Sequence, residues 1–370
     1  MTLQITRSPD HPITGCRVLY VAYPLLTVSE ASAGGAEQVL WTLEREMEGR
    51  GTVTTVAASL GSRVSGELFV TGEPCSRTDD FERRNREHQD TIIDLVRQRM
   101  LEGRPFDLVH DMSGSFWTRA AEIDVPVLAT LHLPRDFYPA GQFENISANV
   151  SFNCVSKSQA RSFSKIKQLA GVVPNGIALD RFLPNAGKRR GLLWLGRICE
   201  EKGPHLALDI AAQMDLPIVI AGQVYPFSYH QQFFAREVEP RLRRNANATW
   251  IECPSDELKR KLLRESAALL IASQVDETSS LVAMEAAASG TPVVAFRRGA
   301  LPEVVKHGVT GLIVDDVEGA VEALNHIEKI SMTQCALYSR KYYSSVRMAD
   351  EYERIYDSMM VRAEDVLKAA

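Results

Sequence analysis

Short apolar runs alternate along this chain with longer stretches in which apolar residues recur at helical spacing. In the first half the runs are RVLYVAY, TVTTVAA, DLVH, VPVLATLH, SFNCVS and GVVP, with helical patterns such as GAEQVLWTLEREMEG and HQDTIIDLVRQRMLEG between them. The second half repeats the scheme with RGLLWLGR, LPIVIAG, ATWIEC, AALLIAS and TPVVAF as strands. Its helical patterns are HLALDIAAQM, SDELKRKLLRES, SSLVAMEAAASG and VEGAVEALNHIEK. Apolar runs without alternation belong to strands covered on both faces, and strands that alternate with helices predict parallel sheets. The expected class is α/β, with two Rossmann-like, doubly wound parallel-sheet domains.

A polar, basic, turn-rich stretch, LPNAGKRRG at 183–191, reads as the linker. It gives an N-terminal domain over 1–185 and a C-terminal domain over 186–345. Each half opens with an apolar strand, a glycine-containing loop and a helix, a likeness of architecture rather than a sequence repeat. The tail RKYYSSVRMADEYERIYDSMMVRAEDVLKAA is helical with aromatic and Met residues on one side. Either its last part, about 346–370, packs back across the first domain, or the helix covers its own domain. Ligands of open parallel sheets sit outside the carboxyl ends of the strands. Two such sheets facing each other would place a site in the cleft between them. The chemistry-bearing residues do follow strands: His132, Gly196–Lys202, Cys253 and Asp276–Leu281.

Length and composition narrow the class without naming it. A chain of 370 residues suggests two domains, and 45% hydrophobic with 24% charged residues is ordinary for a globular protein. The net charge of −5 gives no electrostatic case for nucleic-acid binding. The N-terminus is polar, and no apolar run reaches membrane length. The expectation is therefore a cytoplasmic protein without a transmembrane segment, with peripheral membrane association left open. Six cysteines stand far apart with no C-x-x-C, which fits reduced thiols and neither a disulfide framework nor a zinc site. No metal is expected.

The stretch DETSSLVAMEAAASGTPVVAF, 276–296, carries two glutamates beside an apolar neighbourhood. A helix starting near Ser279 or Ser280, both good N-caps, leaves Glu277 in the preceding loop and Glu285 inside the helix. Helical side chains tilt toward the N-terminus, so Glu285 leans back toward that end. The helix start carries about half a positive charge and free N–H groups, which favour an anion such as a diphosphate. Carboxylates beside it suit sugar hydroxyls. Equally, Glu285 reads as a partly exposed helix residue and Glu277 as an acid favoured by the dipole. A second stretch, GRICEEKG at 196–203, places Arg197 and Lys202 between a strand and a helix. Arg offers a planar fork for phosphate oxygens and Lys a point charge. The plain alternative is a solvated loop with Lys202 paired to Glu200 or Glu201.

Together, G-R-x(4)-K-G, E-x(7)-E, A-S-G-T-P-V-V-A and P-E-V-V-x-x-G-V-T-G resemble the retaining glycosyltransferases of family 4 (glycosyl transferases group 1), which have the two-domain GT-B fold. G-G-A-E at Gly34–Glu37, T-L-H at Thr130–His132, V-S-K-S at Val155–Ser158, V-P-N-G-I at Val173–Ile177 and Arg181-Phe182 extend the likeness over nearly the whole chain. The resemblance implies that Arg197 and Lys202 bind the donor diphosphate and stabilise the leaving nucleotide. It implies that Glu277 contacts the transferred sugar and Glu285 the ribose, with the backbone of Thr278, Ser279, Ser280 and Leu281 meeting diphosphate and sugar. Gly34 and Gly35 would let the N-terminal loop approach the diphosphate, His132 would face the reacting centre, and the base would lie near Cys253. The acceptor side would be built by the loops of Asp111, Ser113 and Arg135. One departure is local: the family often has a glycine after the first Glu, where this chain has Thr278, Ser279 and Ser280.

The implied function is transfer of a glycosyl group, with retention and without a metal, from a nucleoside diphosphate sugar to a hydroxyl acceptor. The donor is a co-substrate, no cofactor is implied, UDP-sugars are favoured and GDP-sugars remain open. The acceptor would be a small molecule, a glycan or a lipid-linked hydroxyl. A nucleotide-sugar epimerase or phosphorylase on the same fold, or a binding protein without turnover, are the competing classes. No D-x-D, G-x-G-x-x-G, Walker A or G-x-S-x-G occurs, against a metal-bound diphosphate, a nicotinamide dehydrogenase, a P-loop NTPase and an α/β-hydrolase.

Overall fold

The computed structural model describes residues 13–75, 80–184, 187 and 189–369, and for 362–369 the backbone only. Residues 185, 186 and 188 of the expected linker, and 1–12 of the polar N-terminus, lie outside the described residues. The chain divides into two compact units, Met1–Asn175 with Ser345–Ala370, and Gly176–Ser344. The first division falls in the V-P-N-G-I turn, ahead of the basic stretch expected as linker.

The first unit is built on β1 (Arg17–Val21), β2 (Val53–Ala58), β3 (Glu67–Val70), β4 (Leu108–Asp111), β5 (Val127–Leu131), β6 (Val150–Cys154) and β7 (Leu169–Val172). All pair in parallel in the order β3-β2-β1-β4-β5-β6-β7. Its helices include α1 (Gly35–Gly49), α2 (Phe81–Leu101) and α3 (Lys157–Ser162). Helix α1 buries Val39, Leu40, Leu43 and Met47, one stripe at three- and four-residue spacing. Strand β3 has no apolar run to announce it. ELFV begins on an acid and none of its residues is fully buried, as suits an edge strand.

The second unit carries β8 (Leu192–Leu195), β9 (Ile218–Ala221), β10 (Ala248–Ile251), β11 (Ala268–Ile271), β12 (Val293–Phe296) and β13 (Gly311–Val314). They too are parallel, in the order β10-β9-β8-β11-β12-β13. Its helices are α4 (Pro204–Gln213), α5 (Ser228–Phe233), α6 (Glu239–Arg244), α7 (Asp256–Glu265), α8 (Leu281–Ala288), α9 (Leu301–Val304), α10 (Val317–Leu324) and α11 (Met332–Tyr342). Strands β11 and β12, ALLI and VVAF, are buried at every position because helices cover both faces.

The last helix, α12 (Ser345–Ala369), belongs to the first unit. Met348, Tyr352, Tyr356 and Met360, spaced four apart, form its buried stripe. Its tyrosines reach across four strands. Tyr352 Oη lies 3.1 Å from Thr130 Oγ1 and accepts from Asn153 Nδ2 at 3.0 Å. Tyr356 Oη lies 2.6 Å from His110 Nδ1 and 3.2 Å from Tyr20 Oη. Arg50 at the end of α1 adds ion pairs at 2.8 Å to both Asp350 and Glu353. No helix among the described residues is long and apolar enough to cross a membrane.

Buried histidines make the first unit acid-sensitive. Burial, with His132 nearby, pushes His110 down to about 3, and burial first pushes His88 and His132 down to about 4. Each imidazole is thus neutral when folded, while the unfolded chain binds its proton near pH ~6.5. The stabilisation from each is complete above pH ~6.5 and is lost as pH falls toward the folded value, by up to about 1.4 kcal/mol per pH unit. The melting temperature should therefore be flat above pH ~7 and fall between pH ~6.5 and ~5, where ordinary carboxylates are still ionised. A melting temperature unchanged over that interval would contradict the placement of these histidines.

Candidate functional site

The winding of the second sheet reverses between β8 and β11. Loops leaving the carboxyl ends of those two adjacent strands therefore emerge side by side, and such a switch point is where open α/β sheets bind ligands. The loops are 196–203, after β8, and 272–280, after β11. They hold the two motifs that lie far apart in sequence.

Backbone geometry sets the first loop. Gly203 has a left-handed φ of 66°, and a Cβ there would lie 2.0 Å from the Ala272 carbonyl oxygen, so only glycine closes this turn against the exit of β11. Trp194 Nε1 donates to the Lys202 carbonyl at 3.1 Å, and Gln274 N donates to the Glu201 carbonyl at 2.7 Å. With the turn so held, Lys202 Nζ donates to both carboxylate oxygens of Glu277, at 2.6 and 2.8 Å. Lys202 thus pairs across the two loops rather than with Glu200 or Glu201. The Ser273 hydroxyl also donates to Glu277. The Glu277 carbonyl accepts from Ala300 N at 2.7 Å, and Asp276 Oδ1 accepts from Gly299 N at 2.8 Å. Arg197 is exposed, its guanidinium 5.7 Å from the centre of the Tyr225 ring.

Helix α8 starts where the sequence placed it. Ser280 is the N-cap, its hydroxyl accepting from Ala283 N at 3.4 Å. Thr278 is half-buried, and the buried Ser279 hydroxyl makes no hydrogen bond among the described residues. Leu281 opens the helix and is half-buried. Glu285 differs from the partly exposed helix residue that was one expectation, being only 3% exposed. Its Oε1 accepts from Lys259 Nζ of α7 at 2.8 Å, while Oε2 has no protein partner among the described residues. Lys259 also stands 3.8 Å from Asp256 and 5.6 Å from the Phe182 ring centre. Asp256 in turn pairs at 2.8 Å with Arg181 and with Arg260. The two glutamates therefore answer to two different lysines. Sequence reasoning missed Lys259, since an amphipathic helix gives no signal of which exposed-looking lysine turns toward a buried acid on another helix. Cys253 is exposed just beyond β10, with a left-handed φ of 49° that is uncommon outside glycine.

The remaining expected residues lie in the first unit. Gly34 is the N-cap of α1, and a Cβ there would stand 1.9 Å from Glu37 Oε2; Gly35 is the first residue of that helix and is exposed. His132 is half-buried directly after β5. Asp111 is fully buried and spends its carboxylate on its own loop, accepting from Ser113 N at 2.8 Å, Ser113 Oγ at 2.7 Å and Trp117 N at 2.8 Å. Burial raises its pKa against these hydrogen bonds. Asp111 and Ser113 thus hold each other in the loop. The Arg135 guanidinium lies over the Phe143 ring at 4.8 Å and 5.9 Å from that of Phe163.

Two parallel-sheet domains with these strand orders are Rossmann-like, and the glycosyltransferase structures that align over nearly the whole chain give the fold as GT-B. Residues 178–342, nearly the whole second unit, match the family model described as Glycosyl transferases group 1. Curated relatives include D-inositol 3-phosphate glycosyltransferases from Corynebacterium urealyticum, 28% identical over 54% of this chain and 53% of the relative, and from Pseudarthrobacter chlorophenolicus, 27% identical over 63% and 65%. The chain spans about half to two thirds of the length of these relatives. Among solved structures, the sucrose-phosphate synthase of Thermosynechococcus elongatus aligns with a TM-score of 0.77 at 15% identity, covering 94% of this chain and 100% of the other. AviGT4, a glycosyltransferase involved in avilamycin A biosynthesis, gives 0.71 at 21% identity, covering 94% and 98%. Anabaena HepE, solved with UDP and glucose, gives 0.72 at 13% identity, covering 93% and 100%.

Proposed function

We propose that the second unit binds a nucleoside diphosphate sugar and that the protein transfers the sugar to a hydroxyl acceptor with retention of anomeric configuration. The observation that carries this is the Lys202–Glu277 contact, which joins the loops after β8 and β11 at the point where the sheet reverses. Lys202 and exposed Arg197 supply positive charge for a diphosphate, and the N-terminus of α8 adds its partial charge. Bound donor would draw Lys202 toward phosphate and free carboxylate oxygens of Glu277 for sugar hydroxyls. The Oε2 of Glu285, without a partner among the described residues, is an acceptor for a ribose hydroxyl, and Ser279 offers a hydroxyl where the family often has glycine. As the glycosidic bond to phosphate breaks, negative charge grows on the leaving diphosphate, and these fixed groups stabilise it without reorganising. No covalent intermediate is invoked. Acceptor recognition is proposed for the first unit, with Arg135 among its contacts and His132 as a further functional residue of that unit. The curated relatives make D-inositol 3-phosphate the first acceptor to try.

A ligand that binds only the folded state raises the melting temperature by mass action. A thermal-shift screen with UDP, GDP, ADP and TDP and their glucose conjugates is expected to single out one nucleotide, UDP being favoured. No shift with any of them at millimolar concentration would remove the donor site.

A further inference from the structure

Cys199, Glu201 and His230 each bring one ligand atom to a single place, all within 4.8 Å of one another. The first two sit on the turn that carries Lys202, and the third begins far downstream, in α5. His230 is fully buried, yet neither Nδ1 nor Nε2 makes a hydrogen bond among the described residues. Such groups almost always have a partner. Aromatic rings hold the imidazole in place instead, with Tyr229 at 4.2 Å, Phe227 at 5.2 Å and Tyr225 at 6.1 Å between centroids. Cys199 is buried as well, its thiol hydrogen-bonded to the Glu201 carboxylate and weakly engaged with the Arg197 carbonyl at 3.6 Å. Counting cysteines alone pointed away from a metal, because the set needs one thiol, one carboxylate and one imidazole rather than paired cysteines.

We propose that Cys199, Glu201 and His230 bind a divalent transition-metal ion of the zinc type. Thiolate, carboxylate and neutral imidazole are the ligands zinc prefers, and their two negative charges neutralise its two positive ones. On binding, the thiol gives up its proton to solvent and the metal–sulfur bond replaces it. The nearby Arg197 charge opposes the ion, so neutralisation by both anionic ligands is required. The ion would fasten the 199–203 turn to the aromatic segment 225–230. Its role is to hold Lys202 and Arg197 in position, which leaves the assignment of diphosphate charge stabilisation to those cations unchanged.

The test uses Zn2+ alone. The protein stripped with a chelator is titrated with Zn2+ and its bound metal measured by mass spectrometry, with Co2+ as a spectroscopic replacement. The expected result is one ion per chain, a raised melting temperature, and a thiolate-to-cobalt charge-transfer band in the wild type. Cys199→Ser and His230→Gln should weaken binding by at least the roughly 10–100-fold that loss of a partner outside the ligand sphere already produces. Cys253→Ser, which removes an exposed thiol, should bind as the wild type does. The proposal is overturned if the wild type binds no Zn2+ and shows no charge-transfer band, or if binding survives in both ligand variants. Because these readouts need no donor or acceptor, their failure would leave the glycosyltransferase proposal standing.

Discussion

Lys202→Ala is expected to lower kcat/KM for sugar transfer by about 10²–10³-fold, the usual cost of removing one preorganised group that stabilises developing charge. Arg197, over Tyr225, and the partial charge at the N-terminus of α8 would remain, so the loss is partial rather than complete. Lys202→Arg should recover only part of the rate, since a planar fork cannot reproduce a point charge placed 2.6 and 2.8 Å from the two oxygens of Glu277. Stability should change little, because Ser273 still donates to Glu277 and that pair is not deeply buried. The measurement is steady-state transfer at varied donor concentration, with the melting temperature as a control. Wild-type kcat/KM in Lys202→Ala would rule out Lys202 as the leaving-group cation.

Lys259→Ala is expected to act on the fold instead. Glu285 would remain 3% exposed with neither oxygen paired to a protein cation. Breaking a buried pair by removing one partner costs about 3–5 kcal/mol, and the lower end is expected here because Lys259 keeps some solvent contact. A second change distinguishes the causes. If the cost is an uncompensated charge, Lys259→Ala with Glu285→Gln should be more stable than Lys259→Ala alone, by denaturant titration. Equal stability of the two would show that the loss comes from Lys259 packing on Phe182. Donor present at saturation should also narrow the gap if Glu285 meets ribose hydroxyls.

The strands of both sheets were legible because buried parallel strands are nearly pure apolar runs, and ALLI and VVAF are buried throughout. Of the edge strands, β10 was read as ATWIEC and β7 in part as GVVP, whereas β3 and β13 were not. ELFV and GLIV are short, partly exposed and begin on Glu67 and Gly311, so no continuous apolar run marks them. The start of α8 was legible from Ser280, whose capping is local chemistry. The pairings that make the candidate site were not local. Lys202 meets Glu277 because β8 neighbours β11, a fact of sheet order that no window of sequence contains. The likeness to known transferases suggested that the motifs share a site, but not that Lys259 serves Glu285. The Cys199–Glu201–His230 cluster was hidden for the same reason, its imidazole arriving from a helix beyond the next strand.

The most direct test of the central claim is to incubate the protein with the nucleotide sugar chosen by thermal shift, with and without D-inositol 3-phosphate and a panel of hydroxyl acceptors. Nucleoside diphosphate and glycosylated product are followed by mass spectrometry and NMR. The account predicts equal amounts of the two, formed only with an acceptor, with the donor's anomeric configuration kept and turnover lost in Lys202→Ala. A sugar altered without acceptor, or donor binding with no turnover under any acceptor, would contradict it.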